Sequence, residues 1–119
     1  MSAQAPKSPG HERPVFVLDV LTGIRDEARR GRPFWFFFGA ERIEVMWAYV
    51  VGYVDCCYRN GFPDEEWGRF MDWLSDVKHE FPEGGGWVKK FLDDCGNDHG
   101  KAMMKFLDLV AEFIATQRA

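Results

Sequence analysis

The chain carries five aromatic residues in a row, Phe34 to Phe38, between Arg32-Pro33 and Gly39. A run without polar positions has neither the period of an amphipathic helix nor the alternation of a half-buried strand. It is also far shorter than the roughly 20 apolar residues of a membrane-spanning helix. The run therefore predicts a short connector between two helices, with most of its rings in the hydrophobic core.

Helical periodicity dominates the rest of the chain, and no segment alternates long enough to predict a strand. Apolar residues recur at helical spacing in five segments, at about 15–30, 40–60, 63–81, 87–95 and from 98 onward. The second of these helices is apolar on two sides, which predicts a central and buried position. The sequence predicts an all-α fold, with one five-helix, bundle-like domain over 14–119 and a disordered tail over 1–13.

Two of the predicted helices have long apolar stripes that should form the core. The stripe of the third helix is Trp67, Phe70, Met71, Leu74, Val77 and Phe81. The stripe of the last helix is Met103, Phe106, Leu107, Val110, Phe113 and Ile114. Both recur at the three- and four-residue intervals of a helix face.

The formal net charge of the 119 residues is −4, and it is unevenly distributed. Residues 1–60 hold 8 Lys+Arg against 7 Asp+Glu, whereas residues 61–119 hold 7 against 12. An acidic chain argues against direct nucleic-acid binding, which needs a basic surface. Three cysteines do not form a disulfide framework, and the N-terminus shows no apolar signal segment. These features predict a cytoplasmic protein without membrane association.

Three small groups of residues could carry chemistry, and each has a simpler interpretation. Ser75 and His79 lie four residues apart in the third helix, where a nucleophilic serine would lack an oxyanion hole. Cys95 and His99 could begin a metal site, but a glycine separates them and no second pair follows. The glycine run 84–86 is typical of an interhelical turn, because it lacks the strand–loop–helix setting of a phosphate-binding loop. The sequence predicts no catalytic residue, no metal ligand and no cofactor.

An acidic stripe on the third helix is the candidate partner-binding surface. Its carboxylates recur at helical spacing opposite the core stripe, and charges arranged in this way speed association with a basic partner. Trp73 is predicted as a partly exposed anchor, since tryptophan is enriched among interface hot spots. The alternative is an ordinary solvated face. The predicted partner-binding residues, including two acids of the fourth helix, are Glu65, Asp72, Trp73, Asp76, Glu80, Asp93 and Asp94.

A series of short landmarks extends over residues 15–115. They are Ile24-Arg25, Arg32-Pro33 before the aromatic run, Gly39, Gly52-Tyr53, Trp73, Gly86-Trp87, Asp98 and the pattern from Phe106-Leu107 through Leu109 to Phe113. Their order and spacing resemble a family of small bacterial helical proteins linked to toxin-immunity loci. That family includes immunity proteins of contact-dependent and polymorphic toxin systems.

The resemblance implies a non-enzymatic cytoplasmic protein that neutralises a cognate protein toxin by binding it, with no cofactor. If the toxin is a nuclease, the acidic second half of the chain would suit its basic active site. Two other classes stay open from the sequence: an enzyme that binds a small molecule under the aromatic connector, and a regulatory interaction module without a toxin partner. A homo-oligomer also stays open.

Overall fold

The computed structural model describes residues 13–82 and 84–118, and the regular structure of these residues is all-α. Six helices follow one another: α1 (Val17–Arg29), α2 (Trp35–Phe38), α3 (Ile43–Arg59), α4 (Glu65–Asp76), α5 (Gly86–Asp94) and α6 (His99–Gln117). The predicted all-α fold is confirmed, but the predicted count of five helices is wrong because the aromatic connector forms a helix of its own. The predicted tail over 1–13 lies outside the described residues except for Arg13. None of the described helices has the length and apolar character needed to cross a membrane.

Helix α6 forms the centre of the domain and packs against α1, α3, α4 and α5. Its predicted stripe is buried except for Ile114, which is half-buried. The ring of Phe106 has no exposed surface and lies among aromatic rings of three other helices. Those rings belong to Trp47, Trp67, Phe70 and Phe91. The second predicted helix corresponds to α3. Its predicted central and buried position is wrong, because α3 leaves its outward side exposed.

Two aspartates cap helices and help to join them. The side chain of Asp98 accepts a hydrogen bond from the backbone N–H of Lys101 at 3.0 Å and caps α6. Asp64 caps α4 through the N–H of Trp67 at 3.0 Å, and it also accepts from the N–H of Val17 at 3.3 Å. This buried carboxylate therefore holds the start of α1 against the start of α4.

Helix α4 ends at Asp76, before the predicted apolar stripe stops. His79 adopts a left-handed backbone conformation with φ 55°, and the N–H of Glu80 donates to a carbonyl of α4 at 2.8 Å. A left-handed residue with such a returning hydrogen bond terminates a helix. The predicted core positions Val77 and Phe81 are wrong, since more than half of each side chain is exposed.

The aromatic connector folds as a single helical turn, which divides its rings between core and solvent. Phe34 and Phe38 lie four residues apart and share the buried side. Trp35 and Phe36 project into solvent and are 59% and 55% exposed. Gly39 ends the turn with φ 81°. Phe37 is half-buried and packs against the core, so three of the five rings contact the core, as predicted for most of them, and two face solvent.

Candidate partner-binding surface

The outward side of α4 displays three carboxylates that form no ion pair among the described residues. Glu65, Asp72 and Asp76 are exposed, and none of them belongs to an ion pair within that part of the chain. Their helical spacing places them on one side, together with the exposed Arg69. We call Glu65, Asp72 and Asp76 the acidic face. The structure keeps these three predicted site residues together.

Glu80 and Asp94 are instead neutralised by lysines of the same domain. The Nζ atom of Lys105 lies 2.9 Å from Glu80 Oε1 and 2.7 Å from Asp94 Oδ2. The Nζ atom of Lys90 lies 3.4 Å and 2.7 Å from the same two oxygens. Hydrogen bonds from Lys105 and from Lys90 hold the pKa of Asp94 below its ordinary value. This lysine clasp (Glu80, Lys90, Asp94 and Lys105) ties the segment after α4 to α5 and α6, and it removes two residues from the predicted acidic surface.

Other acids near the predicted site are also paired within the fold. Asp93 Oδ2 lies 2.6 Å from the Nζ of Lys89, and both side chains are exposed. Glu66 accepts hydrogen bonds from Arg118, which also binds Asp19 at 2.7 Å. The hydrogen bonds to Glu66, and to a smaller extent the one to Asp19, raise the pKa of Arg118 above its ordinary value. Arg118 thereby joins the end of α6 to α4 and α1.

Trp73 is a core residue, and its prediction as a partly exposed anchor is wrong. Only 8% of its surface is exposed. Its ring stacks on Phe70 with the centroids 6.1 Å apart and meets Phe113 edge-on at 5.4 Å. Because α4 packs against both α1 and α6, its buried side is wider than the single predicted stripe.

A second exposed surface is apolar and joins α2 to the outward side of α3. Its bulkiest members are exposed rings, with Trp35 at 59%. The rings of Phe38 and Tyr49 meet edge-on at 5.3 Å and connect the two helices. We call this surface the α2–α3 face; it consists of Trp35, Phe36, Ala48, Tyr49 and Gly52.

The sequence predicted a buried connector and a buried second helix, so it did not predict the α2–α3 face. A continuous apolar run does not show which of its sides faces water. The available signal was the type of residue on the outward side of α3. Tyr49 carries a hydroxyl that favours a wet environment, and Gly52 offers no side chain to bury.

The histidines of the candidate catalytic pair and of the candidate metal site have positions that serve the fold. His79 lies beyond the end of α4 in its left-handed conformation, so it does not share a helix face with Ser75. The Nδ1 atom of His99 accepts a hydrogen bond from the backbone N–H of Ile43 at 3.1 Å and thereby occupies the start of α3. Across the described residues, no group of three His, Cys, Asp or Glu side chains could hold a metal ion.

A cleft of about 460 Å³ lies beside the C-terminal half of α3. None of the five connector residues lines it, so it is not the small-molecule pocket under the connector that the alternative enzyme function would need. Burial raises the pKa of the Cys57 thiol in this cleft, which favours the unreactive protonated form. Its lining residues are Arg13, Pro14, Tyr53, Cys56, Cys57, Asn60 and Phe62.

No family model, curated protein or solved structure matches this chain. Function must therefore be inferred from the structure itself, and the acidic face and the α2–α3 face are its two candidate binding surfaces.

Replacing Asp94 with asparagine is expected to lower the free energy of unfolding at neutral pH by about 1–2 kcal/mol, because two partly buried lysines lose a charged partner. The pKa of Asp94 is lowered in the folded state. The carboxylate therefore stabilises the fold above its unfolded-state pKa, and this contribution is lost as pH falls through the folded-state pKa. Urea unfolding at several pH values should show the difference between wild type and variant shrinking in acid.

Asp93→Asn is the matched control, because Asp93 lies next in sequence and belongs to a more exposed pair. Its effect should be about 0.5 kcal/mol or less. Equal effects of the two substitutions, or a difference that persists in strong acid, would contradict the role of the lysine clasp.

Proposed function

We propose that this protein is an immunity protein that binds a cognate bacterial toxin in the cytoplasm. The acidic face of α4 covers a basic surface of the toxin, such as the active site or substrate surface of a nuclease. Binding is stoichiometric and needs no cofactor. The order of sequence landmarks, which resembles that of toxin-immunity proteins, supports the same role.

The observation that carries the proposal is the contrast between the acidic face and the neighbouring carboxylates. Glu66, Glu80 and Asp94 bind cations of their own domain, whereas the carboxylates of the acidic face have no such partner among the described residues. A paired carboxylate must give up or share its partner when another protein binds. An unpaired one loses only hydration, and it attracts a basic partner from a distance.

The acidic face is also displayed on a rigid support. Asp64 fixes the start of α4, and Phe70 and Leu74 are fully buried beneath the helix. The lysine clasp holds the segment that follows the helix. A surface that is already ordered loses little conformational entropy when it binds, so more of the contact energy remains as affinity.

The partner to test is the product of an adjacent toxin gene, expressed as an inactive variant for binding and as the active toxin for growth. Titration calorimetry with the full chain should show saturable binding, and co-expression should restore growth. Gly68→Arg tests the surface, because Gly68 lies between Glu65 and Asp72 and has open space around an added Cβ. A positive charge there should weaken toxin binding by about tenfold or more.

Gly23→Arg is the matched control, since Gly23 is another exposed glycine inside a helix, α1, with open space around its Cβ. It should bind the toxin as the wild type does. Absence of both binding and protection in the wild-type chain would reject the proposed function. If Gly68→Arg kept wild-type affinity, the toxin would bind elsewhere on the domain.

A further inference from the structure

The α2–α3 face leaves a large apolar surface uncovered in the single chain. The rings of Trp35, Phe36 and Tyr49 are each 37–59% exposed. Since an aromatic side chain can bury roughly 150–250 Å², these rings together offer roughly 200–400 Å². An apolar patch of a few hundred Å² is commonly an interaction site. A standard interface buries about 800 Å² per partner, of which somewhat more than half is apolar, so the rings supply about half or more of that apolar share.

The charges of α3 are compatible with an identical surface. Asp55 and Arg59 form an ion pair at 2.7 Å, and Glu44 pairs at 3.0 Å with Arg42, which precedes the helix. All the charged residues of α3 are therefore balanced locally. A strongly basic or strongly acidic partner would therefore gain little attraction from α3, whereas the same helix of a second copy meets no net repulsion.

We propose that the α2–α3 face is the contact surface between two copies of this chain, related by a twofold axis. A twofold contact brings the same residues together from both sides, and it is the commonest symmetry of protein dimers. The outward side of α3, with Gly52 near its middle, would lie against the same helix of the second copy. The rings of α2 and α3 would then lose their contact with water. This inference does not depend on the proposed function, because the acidic face lies on α4.

Sedimentation velocity of the full chain over a wide range of concentrations tests the proposal. We expect a dimer whose fraction increases with concentration. Gly52→Arg places a charge in the middle of the face and should raise the dimer dissociation constant by about tenfold or more. An added Cβ at Gly52 meets nothing within 4 Å, so the circular dichroism spectrum should stay unchanged. Ala48→Arg, one turn before Gly52 on the same exposed side of α3, should have the same effect.

The same glycine-to-arginine change at Gly23 or Gly68 should leave the dimer intact, because both lie outside the face. A wild-type chain that is monomeric at every concentration would overturn the proposal, as would a Gly52→Arg variant that dimerises normally. The face would then fit a partner of another sequence or residues 1–12 of the same chain. Dimerisation without toxin binding would reject only the proposed function, and toxin binding by a strict monomer would reject only the dimer.

Discussion

Replacing Phe106 with alanine is expected to lower the free energy of unfolding by about 3–5 kcal/mol. The ring is fully buried in α6, at the point where aromatic side chains of α3, α4 and α5 converge. Its removal would leave a cavity that rigid neighbouring rings cannot easily fill. Since a domain of this size is stable by about 5–15 kcal/mol in total, much of the population should unfold under mild denaturant. Urea unfolding followed by circular dichroism measures the loss.

Phe36→Ala is the matched control, because it deletes the same ring at a position that is 55% exposed. At a concentration at which the chain is monomeric, its effect should be about 1 kcal/mol or less. Similar losses for both variants would contradict the division of the aromatic residues into a core around Phe106 and an exposed surface on α2.

Phe106 and Phe36 also show where the spacing of apolar residues predicts burial and where it does not. The stripe of α6 could be predicted because its apolar residues recur on one side of a long helix, and only that side can meet the other helices. The run from Phe34 to Phe38 has no such contrast. Its rings are chemically alike, so only the direction of one helical turn decides that Phe36 faces water while Phe38 is buried.

The end of α4 could not be predicted for a related reason. Val77 and Phe81 continue the helical spacing of the stripe, and nothing in the apolar pattern marks a stop. The chain leaves the helix after Asp76, and His79 then adopts a left-handed conformation although it is not a glycine. Glu80 then turns towards Lys105, which is distant in sequence.

Only part of the candidate partner-binding site could be predicted from the sequence. Helical spacing shows which residues share a side of a helix, but it does not show their tertiary neighbours. Helical spacing alone places Glu65, Asp72 and Asp76 on one exposed side of α4. Whether an acid keeps its charge available depends on tertiary neighbours. Asp94 is neutralised by Lys90 from its own helix and by Lys105 from α6, and the second of these contacts exists only in the folded chain.

Reversing the charge of Asp72 and Asp76 to lysine is expected to have the largest effect on protection from the toxin. If the acidic face steers a basic toxin, the association rate should fall by about tenfold or more. The salt dependence of that rate should fall with it, because the lost attraction acts through solvent. Both side chains are exposed and outside the core, so stability should change by about 0.5 kcal/mol or less per substitution. Stopped-flow binding at two salt concentrations and growth under toxin challenge measure the effect.

The control is the double variant Asp26→Lys with Glu41→Lys, which changes the net charge by the same amount. Both of these residues are exposed, lie outside α4 and belong to no ion pair in the described part of the chain. If attraction depends on the position of the charges, this variant should bind and protect nearly as the wild type does. Equal losses in both double variants would mean that only the net charge of the domain matters. Full protection by the Asp72→Lys, Asp76→Lys variant, with an intact circular dichroism spectrum, would show that the acidic face is an ordinary solvated surface and that the toxin binds elsewhere.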